Sequence, residues 1–105
     1  MQNMLQNDLN AVQEELVGLL QEEAAEFIQE LSKVRRTGLA FKRRGKDVTN
    51  QHHLQRELID LLILIAMATE AGLFDEDFDA DSYTEEKLER LKIWTNLPHS
   101  LLENT

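Results

Sequence analysis

Five carboxylates stand at spacings that suit metal chemistry. Glu22, Glu23 and Glu26 lie in the stretch "EEAAE", and Glu57 and Asp60 lie in "ELID". At about 100° per residue, a helix places Leu9, Val12, Leu16, Leu19, Leu20 and Phe27 within roughly 60° of Glu23. Glu26 falls at the edge of that stripe and Glu30 inside it. Asn50, His53, Leu54, Leu61, Leu64 and Ala68 cluster in the same way around Glu57, with Asp60 beside them. Two helices thus each offer an acid pair, three residues apart, on the face that should pack.

Unpaired carboxylates on a packing face cost several kcal/mol each after relaxation. Three compensations are open. Protonation requires raised pKa values for four groups at once. Arginine pairing is hindered because the basic residues cluster elsewhere and Arg56 points about 100° away from Glu57. A divalent cation is the simplest answer. With no cysteine and no ExxH pair the ligands are all oxygens, which favours Mg2+, with Mn2+ as a substitute, over zinc or iron. Acid-rich helices are common on solvated surfaces, and "EEAAE" alone fits that reading equally well. The second acid pair, on an otherwise apolar helix, tips the balance toward a site.

The elements that must position these acids read as helices. Apolar residues recur with helical period over 8–36, with Asp8 as N-cap, Gly38 as stop and Gly18 as a weak point that breaks the helix in two. Residues 39–49 form a basic loop around Gly45. A second helix starts at Thr49 or Asn50 and ends at Gly72. Its segment "LIDLLILIAMA" is apolar nearly all round, so it is expected to be buried on most sides. An acidic loop follows over 74–81, and "SYTE" reads as a capping box from Ser82 to Glu85. That box opens a third helix running until shortly before Pro98. The expected class is all-α: a bundle of three to four helices, completed by homo-oligomerisation.

The chain has 105 residues, which suits one domain over 1–105. Its opening "MQNMLQNDLN" lacks the basic start and apolar run of a secretory signal. Its longest apolar run, 61–68, is too short to span a membrane, so a cytoplasmic location is expected. Net charge is −9, which argues against a stable nucleic-acid partner. Seven of the eleven basic residues nevertheless fall between Lys33 and Lys46, with no acid from Leu31 to Lys46. A small polyanion suits such a loop better than a duplex.

The stretches "EEAAEFIQELSKVRR", "TNQHHLQRELIDLLILIAMATEAGL" and "EEKLERLKIW" resemble the MazG-like all-α nucleotide pyrophosphohydrolases, in particular short phage-type members. That family is marked by EExxE followed on the next major helix by ExxD. The resemblance covers roughly 20–95. Thirty residues lie between Glu26 and Glu57, at the long end for the family. It implies magnesium-dependent hydrolysis of a nucleoside or deoxynucleoside triphosphate to the monophosphate and pyrophosphate, by water attack at the α-phosphate. It also implies a homodimer or homotetramer.

In such an enzyme Glu23, Glu26, Glu57 and Asp60 are the best metal ligands. Glu22 sits about 100° from Glu23 and suits a supporting place or a base for water. Lys33, two turns beyond the acids, and Lys87 and Arg90, on one face of the third helix, are candidates for the triphosphate. Lys87 and Arg90 equally suit solvated ends passing a packing face. Asn50 reads first as a helix cap, and as a substrate contact if the helix begins earlier. His53, one turn before Glu57, fits an interface or a supporting place beside the metal. Trp94 and Phe41 fit core or loop packing, or a stacked base. The loop from Asp75 to Glu86 imitates a calcium loop but has Ala80 where a glycine is needed. The rival functions are a non-catalytic helical binding module, such as a phage protein gripping a host factor or a nucleotide, and a nucleic-acid binder using the basic loop.

Overall fold

The computed structural model describes residues 7–103; residues 1–6, most of the opening stretch judged above for a secretory signal, lie outside it. The chain divides into two compact units, one ending at Phe74 and the other beginning at Asp75. Three α-helices carry the fold: α1 (Ala11–Thr37), α2 (Asn50–Glu70) and α3 (Ala80–Trp94). A 3-10 turn follows at His99–Leu101. Among the described residues the sole β feature is an isolated bridge between Lys42 and Thr49. No described helix is long and apolar enough to cross a membrane.

Helix α1 begins two residues later than the cap expected at Asp8. Asn10 caps it, and Gln13 returns the hydrogen bond: the Gln13 N–H donates to Asn10 Oδ1 at 2.8 Å, and the Asn10 N–H to Gln13 Oε1 at 3.1 Å. Such reciprocal capping satisfies two otherwise orphaned donors. The helix runs 27 residues without the expected break at Gly18. A mid-helix glycine costs only about 1 kcal/mol relative to alanine, and packing of the flanking turns against α2 outweighs it. Gly38, at φ 90°, ends the helix, its N–H donating to Val34 O at 2.7 Å.

Thr49, not Asn50, caps α2; its hydroxyl accepts from the His52 N–H at 3.2 Å. The helix ends at Glu70, followed by Gly72 at φ 80°. Helices α1 and α2 form an antiparallel hairpin tied at both ends. Gln13 Nε2 donates to Ala71 O at 2.9 Å. At the other end Asn50 Nδ2 donates to Thr37 Oγ1 at 2.8 Å and to Gly38 O at 3.0 Å. Between the ties lie the buried Leu16 and Ala68.

The expectation that α2 is buried on most sides does not hold in the single chain. Leu58, Ile59, Leu62, Ile63, Ile65 and Met67 are 38% to 54% exposed, because α1 covers only one side of the helix.

In the second unit the cap of α3 lies three residues before the expected Ser82. Asp79 Oδ1 accepts from the Ser82 N–H at 3.0 Å. Aspartate caps as well as serine and also complements the helix dipole. In the loop before it, Asp75 Oδ1 accepts from the Asp77 N–H at 2.9 Å, and the helix starts at Ala80. Leu102, after the 3-10 turn, is buried.

Candidate functional site

The two end ties fix the register of the hairpin, and that register brings the acid pairs together. Carboxylate oxygens of Glu23 on α1 and of Glu57 and Asp60 on α2 all lie within 4.8 Å of one another. Oε2 of Glu23 and Oε2 of Glu57 are shut off from solvent and have no hydrogen-bond partner. Glu26 is not one of the three converging groups, but its charge acts on both Glu23 and Glu57. Glu22 is exposed on α1.

The electrostatics follow from this crowding. Burial, and after it the charges of Glu26 and Asp60, raises the Glu23 carboxyl above its usual range. Burial, then the Glu26 carboxyl and the charges of Glu23 and Asp60, pushes Glu57 up to about 7. The shift favours the protonated form of Glu57, and that proton eases the repulsion.

No cation of the chain does so. The three ion pairs among the described residues involve Glu30 and Glu89, and none touches Glu23, Glu26, Glu57 or Asp60. Arg56 instead lines a hollow of about 390 Å³ on the outer side of α2, with His52, Gln55, Ile59 and Asp60. Hard oxygen donors, two of them buried without partners and none paired with a protein cation, fit a divalent ion of the magnesium type. Asp60, which is exposed, also lines that hollow.

Next to the acids lies a group in which one carboxylate meets two cations. Glu30, on the same stripe of α1, accepts from Lys33 Nζ at 3.3 Å and from Arg43 Nη2 at 3.1 Å. His53 lies close by with Nε2 buried and unpartnered. Burial and, after it, the nearby Arg43 lower the pKa of its imidazole, which favours the neutral form. Lys33, expected on a triphosphate, is thus on Glu30 in this state of the chain. Arg43 was not singled out by spacing; the only signal was its place in a loop rich in lysine and arginine.

The remaining candidates are distributed as follows. Asn50 is fully buried, with its amide on Thr37 and Gly38 and Oδ1 unpartnered, so it clasps the hairpin. Lys87 is exposed on α3 in the second unit. Arg90, on the same helix, lies 5.6 Å from the centre of the Tyr83 ring and donates to its hydroxyl at 3.3 Å. Phe41 is 46% and Trp94 80% exposed, so the core reading of Trp94 does not hold. No known protein family, curated protein or solved structure matches the chain.

Proposed function

We propose that this chain is a nucleoside triphosphate pyrophosphohydrolase of the MazG-like type, dependent on magnesium, releasing a monophosphate and pyrophosphate. The observation that carries the reading is the convergence of Glu23, Glu57 and Asp60, with two buried, unpartnered oxygens and no protein cation to neutralise them. When bound, the divalent ion supplies charge neutralisation on phosphate oxygens and a water of lowered pKa. Glu23, Glu57 and Asp60 would hold it, with Glu26 supporting Glu57. Glu22, exposed beside them, accepts a proton from the attacking water. Phosphoryl chemistry of this kind depends mainly on positioning and charge stabilisation, so Lys33, the expected basic side chain on the hairpin, is assigned to the phosphates. Asn50 serves the substrate only through the backbone it clasps.

The test is release of pyrophosphate from a panel of nucleoside and deoxynucleoside triphosphates, with magnesium, with manganese and with neither. Metal-dependent pyrophosphate is expected. Orthophosphate and a diphosphate would place the cut at the wrong bond, and no product from any of the panel would end the hydrolytic reading.

The exposed apolar side of α2 supports a homodimer or homotetramer in which this helix is central. Six large aliphatic side chains on one helix are unfavourable in water at roughly 25 cal/mol per Å² of apolar area. Light scattering at micromolar concentration should give at least twice the chain mass. A monomer mass would refute the assembly and favour the rival reading of a binding module whose partner is a different protein.

A further inference from the structure

Glu30 is four residues beyond Glu26 on α1, and His53 is four residues before Glu57 on α2. The group around Glu30 therefore lies one helical turn, about 6 Å, from the acids along both helices. The Glu30 side chain is only 12% exposed, yet it holds two cations, one from its own helix and one from the basic loop. Arg43 spends Nη2 on Glu30, while its Nε is buried with no partner. A buried guanidinium N–H without an acceptor is unfavourable. It marks a place where one more oxygen fits. A carboxylate held between a lysine and an arginine also occupies the charge environment that suits a phosphate.

We propose that Arg43, with Lys33, receives the outer phosphates of the triphosphate, the end that departs as pyrophosphate, and that Glu30 stands in for that anion in the ligand-free chain. This assignment rests on the hydrolytic reading for its substrate. Two cations against one carboxylate leave a positive charge beside the acid cluster. Phosphate oxygens that displace Glu30 gain both cations and the free Arg43 Nε. Lys42, Arg44 and Lys46 neighbour Arg43 in a stretch without acids, and their charge favours a polyanion there on a chain that is otherwise acidic.

A permanent Glu30–Arg43 pair that only fastens the loop is the rival, and the two differ in the sign of one effect. The experiment is a titration of the full chain with inorganic pyrophosphate in EDTA, following the arginine Nε–H resonances by nitrogen-15 NMR. There are six arginines, and Arg43 is identified by the resonance missing from Arg43→Lys. Its resonance should shift with pyrophosphate. Glu30→Gln should reach half-shift at severalfold lower pyrophosphate, because both cations are released. Arg43→Gln should weaken binding about tenfold, the size of one charge-assisted hydrogen bond, read on the loop's backbone amides.

A resonance that does not move, or weaker binding by a folded Glu30→Gln, overturns the proposal. If Glu30→Gln fails to fold, unchanged affinity in Arg43→Gln overturns it alone. The titration contains no metal, so the two readings fail separately. Pyrophosphate bound through Arg43 without metal-dependent hydrolysis leaves the anion site and removes the enzyme; hydrolysis with an unmoved Arg43 does the reverse.

Discussion

Glu30 and Glu57 are both carboxylates in the cleft between α1 and α2, about one turn apart along it. Glu30 meets a lysine at 3.3 Å and an arginine at 3.1 Å. Glu57 has only acids acting on its charge, and one of its oxygens is buried without a partner. The nearest arginine in sequence to Glu57, Arg56, turns to the outer hollow of α2. Burial is unfavourable for both groups. At Glu30 it is offset by cations of the chain; at Glu57 no cation offsets it, and only a retained proton eases it. An open charge in a packed cleft is destabilising on its own terms, which is why such groups concentrate at functional sites.

The sharpest test of this contrast is Asp60→Asn, which keeps the shape of the cluster and removes one charge. Turnover should fall by more than about a hundredfold. In EDTA the variant should melt no lower than wild type, and magnesium should raise its melting temperature less than it raises that of wild type. Melting well below wild type in EDTA would make Asp60 a structural partner of the fold.

A smaller effect, but of opposite sign at the two places, is expected in the absence of metal. Glu30→Gln removes a carboxylate that has cations and should destabilise by about 1 kcal/mol, since the pairs are partly exposed. Glu57→Gln removes one that has none and should be neutral or stabilising. The pH dependence sharpens the pair. The folded chain keeps the Glu57 proton up to about 7, whereas the ordinary value is 4.5. The folded state therefore binds more protons in that window, so stability is full below about 4.5 and declines as pH rises through 7. Melting in EDTA should fall across that window in wild type and fall less in Glu57→Gln. Equal losses in both variants, with parallel pH slopes, would erase the distinction.

The parts of this molecule that repeat with helical period were legible in the sequence. The stripe carrying Leu16, Glu23 and Glu30, and the one carrying Glu57 and Ala68, follow from period alone; the meeting of Glu23 with Glu57 and Asp60 needed the hairpin register as well. Thr49 and Gly72 bound α2 because each does at a helix end what its side chain, or lack of one, permits. Reading failed where two local preferences compete. Asp79 and Ser82 both cap well, and the earlier one won; Gly18 lost to packing against α2. The side of α2 turned from α1 cannot be assigned from one sequence, because period does not say what lies across it. Arg43 was illegible for a different reason. A loop residue has no period, and its position depends on closure: the Asn50 N–H donates to Phe41 O at 2.8 Å and the Gln51 N–H to Leu39 O at 3.0 Å. Those bonds turn the loop back over α1 and bring Arg43 to Glu30.

The two ties of the hairpin also set an order of assembly. Asn50 and Thr37 are 13 residues apart, whereas Gln13 and Ala71 are 58 apart. Closing the longer span costs about 1.3 kcal/mol more in chain entropy, a little over two doublings of length. The Asn50 clasp therefore forms first on the way to the native hairpin, and the Gln13 end closes last and frays first. The four acids lie between the two, so their mutual repulsion is met only after the turn has zipped. The repulsion acts late in folding, on a hairpin already nucleated at the basic loop.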